Sequence, residues 1–176
     1  CFADVTAAKY GFSRAEQDAY AAESVRRAQR ASKEGDFVAE IAPVTIKTRK
    51  GEQVVAVDET PFQLDIDKIP TLKPAFGKDG TVTAASSSSI SDGAAAIVLM
   101  SESAAKAAGL KPLARLVAYA SHAQAPEWFT TAPAPSMQKA LDRAGWKVAE
   151  VDLFEINEAF ACVAMAAMQD LGLRHG

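Results

Sequence analysis

The chain has 176 residues, 49% hydrophobic and 23% charged, which is length for one ordinary domain or pieces of two and the balance of a folded globular protein. That apolar content excludes a disordered polymer, and the lack of a long uninterrupted apolar run argues against a bilayer-spanning chain. A formal net charge of -3 with dispersed basic residues argues against a phosphate-tracking surface, so neither nucleic acid nor membrane is expected as a partner.

A short helix is expected across Ala3 to Lys9. A long one should begin at Ser13, because Ser13-Arg14-Ala15-Glu16 has the spacing of a capping box, in which hydroxyl and carboxylate each satisfy an orphaned backbone donor. It runs through Gln17, Ala19, Ala22, Val25, Ala28 and Ala31, all helix-compatible, and stops near Gly35, which tolerates a left-handed C-terminal cap. Arg26, Arg27 and Arg30 on this helix are interleaved with Glu16, Asp18, Glu23 and Glu34, the pattern of a solvated face.

Val44 to Thr48 and Val54 to Val57 are β-branched runs flanking Lys50-Gly51, which predicts a hairpin. Asp58 to Gly80 contains Pro61, Pro70 and Pro74 without sustained periodicity and reads as an irregular surface segment. By composition alone Ser86-Ser87-Ser88-Ser89 is a linker. The apolar run Ala94 to Met100 beyond it suits a strand buried on both faces, which would tether the serines beside a core strand.

Further on, Ser101 to Ala108 should be a helix closed by Gly109, Leu113 to Ala120 a strand, and Pro135 to Arg143 a helix closed by Gly145. Val151 to Ile156 reads as a strand running directly into Asn157-Glu158-Ala159-Phe160, followed by an Ala/Met-rich helix to Leu171. This alternation predicts an α/β architecture with helices on a mixed sheet.

Cys1 and Cys162 lie at opposite ends in unlike surroundings, which argues against a disulfide and fits a reducing, cytoplasmic compartment. With only His122 and His175 besides, no metal-ligand spacing exists. The chain opens without methionine, charged n-region or apolar h-region, so neither a signal peptide nor a true N-terminus is expected there. Asn157 is the residue most suggestive of chemistry, since an amide where a strand hands over to a helix projects from a sheet end. It is also a common helix N-cap, and Glu158 in a first helical turn would complement the helix dipole.

Several stretches together resemble the thiolase family. Asn157-Glu158-Ala159-Phe160-Ala161 matches its NEAFA motif, and Ser13 to Ala19, Glu40 to Val44, Leu72 to Phe76, Gly80 to Ala84 and Ser91 to Ala96 follow in the family's order and spacing. The resemblance spans essentially the whole chain. It implies a layered α/β/α fold in part, with 1–90 as a coenzyme A-binding loop region, 91–111 as the last strand and helix of the N-terminal core domain, and 112–176 as the start of the C-terminal one.

It also implies acyl transfer. In the family a cysteine is acylated by an acyl-CoA thioester, a second cysteine takes an α-proton from acetyl-CoA, and the carbanion attacks the acyl group; degradation runs in reverse. A histidine and an asparagine-held water stabilise the oxyanion. By resemblance Asn157 orients that water, Phe160 walls the reacting acyl groups from bulk solvent, and Phe129 stands where a methionine is usual near the thioester. Phe76, Ala84 and Ser88 correspond to the residues lining the pantetheine arm. Phe160 also reads as ordinary core packing, and Cys162 as a small buried thiol.

The chain departs from the family at Ser86, where asparagine is usual, and at Pro61-Phe62-Gln63, where many relatives place an arginine near the adenine. Three family elements have no counterpart in these residues: the nucleophilic cysteine segment, the Gly-His-Pro segment and the C-terminal cysteine motif. The chain by itself is therefore expected to be inactive. Coenzyme A thioesters would be substrates, with no covalently bound cofactor, and the family forms homodimers or homotetramers. The competing reading is a non-catalytic acyl-CoA or lipid-binding relative, which would have no need of a water-orienting amide.

Overall fold

In the computed structural model, which describes residues 1–175, Ser13 caps the long helix as its sequence predicts. The Glu16 amide donates to Ser13 Oγ at 3.2 Å, and Ser13 N donates to the Glu16 carboxylate at 2.7 Å, a cap worth about 1 kcal/mol. This helix, α2 (Arg14–Glu34), ends at Gly35, whose φ of 80° is the left-handed conformation that stops a helix. Before it lies α1 (Phe2–Tyr10).

The residues form two units, Cys1–Ser88 with Glu158–Cys162, and Ser89–Asn157 with the residues from Val163 on. In the first, Ala3 and Ala7 of α1 pack with Val82 and Cys162, flanked by Phe12 and Phe160. The small alanines let the helix approach closely. Arg14 extends from α2 to the carbonyls of Ile69 and Leu72, at 3.2 and 2.8 Å, while its Nε meets Asp18 at 2.7 Å. It thereby holds down a 3-10 turn at Ile66–Thr71, in which Ile69 is buried.

The hairpin is present as β1 (Val44–Thr48) and β2 (Gly51–Val55), antiparallel with Val44 opposite Val55. Its second strand starts earlier than the β-branched run suggested. The proline-containing stretch after it is more ordered than expected, holding a short α3 (Thr60–Gln63) and the 3-10 turn; Gln29 of α2 donates to Pro61 O at 2.7 Å.

The second unit contains α4 (Glu102–Ala107), a 3-10 turn at Pro126–Thr131, α5 (Pro133–Ala144) closed by left-handed Gly145, and a 3-10 turn at Val148–Glu150. Helix α6 (Ala161–Leu171) contributes its first two residues to the first unit and the rest here. The strands expected at Ala94–Met100, Leu113–Ala120 and Val151–Ile156 do not form, and no mixed sheet exists among the described residues. Ile97, Val98 and Leu99 are 84, 82 and 78% exposed. The physical reason is that a strand exists only through a neighbour's backbone hydrogen bonds, and these segments have none among the described residues.

Candidate functional site

The loop from Gly80 to Ser88 is fixed from two helices of the first unit. Asp4 Oδ1 on α1 accepts from the amides of Thr81 at 2.9 Å and Val82 at 3.1 Å. Burial pushes the Asp4 carboxyl up, but the Val82 and Thr81 amides, with the amino group of Cys1, outweigh it and hold it below the ordinary carboxylate value. At Gly80 a Cβ would lie 2.9 Å from Asp4 Oδ1, so a larger residue there would push on this carboxylate. From α2, buried Gln17 donates to Thr81 Oγ1 at 2.9 Å.

Beyond Val82 the hydroxyls tie the chain into a turn. Thr83 N donates to Ser86 Oγ at 2.9 Å, Ser86 N to Thr83 Oγ1 at 3.3 Å, and Ser87 Oγ to Thr83 O at 2.7 Å, with Thr83 and Ser86 both buried. Such local side-chain bonds let serine and threonine specify turns. The serine run is therefore an ordered element. Ser86 closes this turn through both its hydroxyl and its backbone amide.

The expectation that the serines sit beside a core strand is corrected: they are laced to the NEAFA segment. Ser88 N donates to Ala159 O at 3.0 Å, Ser87 and Phe160 form an antiparallel bridge, and Ala161 N donates to Ser86 O at 2.9 Å. That last bond satisfies one of the orphaned amides at the start of α6. Phe76, brought near by the 2.8 Å bond from Ala75 N to Val82 O, meets Phe160 edge to face with ring centroids 6.1 Å apart.

Phe76, Ser88 and Phe160 thus come together within one unit, with Ala84 on the intervening turn. Ala84 and Ser88 are exposed, Phe76 is 54% exposed, and the Ser88 hydroxyl has no partner among the described residues. This is a small, open surface with a hydroxyl, backbone and two rings, suited to a flexible chain bearing amides.

Asn157 and Phe129 belong to the second unit, where both are exposed. Helix α6 starts at Ala161, so Asn157 does not cap it, Glu158 is outside its first turn, and Phe160 precedes the helix instead of lying one helical turn after Asn157. The Asn157 amide makes no hydrogen bond among the described residues.

Glu158 has partners that the sequence did not reveal. Tyr20 Oη donates to one carboxylate oxygen at 2.7 Å and Ser24 Oγ to the other at 2.6 Å. Their four-residue spacing on α2 was the available signal, though it does not say what they would hold.

Cys162 is fully buried, its Sγ is 3.5 Å from Ala3 O, and burial followed by the Asp4 charge pushes its thiol up to about 11. It is an inert core thiol. Neither cysteine is in a disulfide. His122 sits between Gln124 at 3.1 Å and Lys139 at 2.9 Å, a structural arrangement. Among the described residues no group of side chains could hold a metal ion, and no helix is long and apolar enough to cross a membrane.

Comparison with known proteins gives the family. The model of the thiolase N-terminal domain matches residues 1–103, and that of the thiolase C-terminal domain residues 110–175. The acetyl-CoA acetyltransferase of Paracoccus denitrificans is 47% identical over 171 residues, covering 97% of this chain and 44% of its own length. The probable acetyl-CoA acetyltransferase of Dictyostelium discoideum is 50% identical over 173 residues, 98% and 42% respectively.

Among solved structures, the acetyl-CoA acetyltransferase of Bacillus anthracis superimposes with a TM-score of 0.94 at 42% identity, over 98% of this chain and 44% of that one. The human mitochondrial 3-ketoacyl-CoA thiolase gives 0.92 at 40%, with the same coverage. The chain thus spans under half the length of these relatives, and over that span its fold class is theirs, as the sequence led one to expect.

Proposed function

This chain belongs to the thiolase family, and from that membership together with the site geometry we propose that the protein is an acyltransferase. It would condense acyl-CoA units, or cleave 3-ketoacyl-CoA with coenzyme A, through a cysteine-bound acyl intermediate. The observation that carries this reading is the lacing of Ser86–Ser88 to Ala159–Ala161, with Phe76 against Phe160. A coenzyme-lining loop and a motif of the reaction centre have reason to be joined in an acyltransferase.

In this reading the pantetheine arm runs along Phe76, Ala84 and Ser88, and the free Ser88 hydroxyl answers one of its amides. Phe160 keeps water from the reacting thioester, which strengthens the hydrogen bonds that stabilise its oxyanion. Among the described residues nothing bonds the Asn157 amide, which in this reading would orient a water for the oxyanion. Phe129, stiffer than methionine, restricts the acyl chains accepted.

Residues 1–90 would serve as the coenzyme-binding loop region, 91–111 as the end of the first core domain and 112–176 as the opening of the second. Coenzyme A enters as substrate, with no covalently held cofactor, in a cytoplasmic homodimer or homotetramer.

Thiolysis of acetoacetyl-CoA by the full-length protein tests the proposal. Turnover dependent on added coenzyme A is expected, while the 176-residue chain expressed alone, having no nucleophilic cysteine segment, should give none. Acyl-CoA binding by the full-length protein without turnover would replace this reading with that of a binding-only relative.

A further inference from the structure

The side-chain contact between α2 and the NEAFA segment assigns a role to residues that the acyltransferase reading leaves unused. We propose that Tyr20 and Ser24 form a hydroxyl clamp on the Glu158 carboxylate, and that these three are positioning residues for Asn157, the next residue back along the chain. The inference rests on the acyltransferase reading above.

Each oxygen of the Glu158 carboxylate takes one hydroxyl, at 2.7 Å from Tyr20 and 2.6 Å from Ser24. Both are short, as hydrogen bonds to an ionised acceptor are. Tyr20 and Ser24 are one turn apart on α2, so one rigid helix sets the spacing of both donors. A carboxylate gripped at both oxygens has lost its freedom to rotate. Burial and then the Glu158 hydrogen bond push the Tyr20 hydroxyl far above its ordinary value, so it stays a neutral donor throughout the working pH range.

The clamp adds a side-chain tie to backbone ties already present. Ala159 is held by Ser88 N, Phe160 by the bridge to Ser87, and Ala161 by Ser86 O. With Glu158 included, four consecutive residues are fixed. The same helix also holds the coenzyme-lining loop through the bond from Gln17 to Thr81. Helix α2 is therefore a common reference for the loop and for the segment that leads to Asn157.

A positioning amide works only within narrow limits, since misplacement by about 1 Å costs on the order of a hundredfold in rate. Glu158 is itself exposed, so water can replace the lost hydroxyls energetically but cannot replace their geometry. The clamp should therefore matter more to the rate than to stability.

The test is steady-state thiolysis of acetoacetyl-CoA by the full-length protein carrying Tyr20→Phe, Ser24→Ala, both together, and Ser24→Thr. The double variant should lose about tenfold in kcat, with KM for coenzyme A within about twofold of wild type. Ser24→Thr, which keeps the hydroxyl, should stay within about twofold in kcat. In an Asn157→Ala background the double variant should cost less than about twofold more, because residues acting through one group are not additive.

Wild-type kcat in the double variant overturns the clamp, as does a full loss repeated in the Asn157→Ala background. Either result leaves the acyltransferase reading standing, whereas a wild-type protein without turnover overturns that reading and the clamp with it.

Discussion

Replacing Asp4 by alanine removes the acceptor that two backbone amides of the Gly80–Ser88 loop share. Val82 is 1% exposed, so its amide would be left with neither protein nor water partner, while Thr81 is partly exposed and recovers some hydration. At about 1–3 kcal/mol for an orphaned buried donor, Asp4→Ala should cost about 2–4 kcal/mol. Asp4→Asn keeps an oxygen acceptor but loses the charge. Since charge-assisted bonds are roughly twice as strong as neutral ones, about half that cost is expected.

The two variants also differ from wild type in their pH dependence. The folded pKa of Asp4 is depressed, so its stabilisation is complete above the unfolded carboxylate range near 3.9 and is lost as pH falls through the folded value. Urea midpoints measured from neutral pH into acid should show a constant gap between wild type and Asp4→Asn that closes below about pH 4. Because this loop would line the pantetheine arm, KM for coenzyme A should rise in parallel. A gap that persists unchanged into acid, or Asp4→Ala within about 0.5 kcal/mol of wild type, would refute the reasoning.

Gly80→Ala should destabilise the wild type by more than about 1 kcal/mol through the clash with the Asp4 carboxylate, yet cost much less in Asp4→Ala, as a double-mutant cycle would read. Arg14→Lys keeps the charge but loses the fork reaching Asp18 and the Ile69 and Leu72 carbonyls, so urea denaturation should register a loss of about 1–2 kcal/mol. Cys162, with its thiol raised to about 11 and no exposure, should resist a thiol reagent at about pH 8 until the protein unfolds; rapid native-state labelling would contradict its placement.

Helices were legible where their ends are written in local chemistry. Ser13 and Glu16 fix one end of α2 and Gly35 the other, and both ends fall within a residue of expectation. Gly145 closes α5 in the same way. Strands were legible only for the hairpin, whose two halves are each other's partners. The Ala94–Met100 run has the composition of a doubly buried strand, but composition states what a segment needs, and the required neighbour is a separate matter.

At the site, the sequence supplied residue identities and the folded chain supplied their company. Four adjacent serines look like a linker, and only the bonds among Thr83, Ser86 and Ser87 reveal a turn. The Tyr20–Ser24 clamp was illegible for a related reason: its acceptor is more than a hundred residues away, at Glu158.

The kinetics of Asn157→Ala bear most directly on the proposed chemistry. In the full-length protein this change should lower kcat for acetoacetyl-CoA thiolysis by about 10²–10³-fold, the usual cost of losing one oxyanion-stabilising group, with KM for coenzyme A within about threefold of wild type. An Asn157→Ala protein that turns over at the wild-type rate would contradict the account.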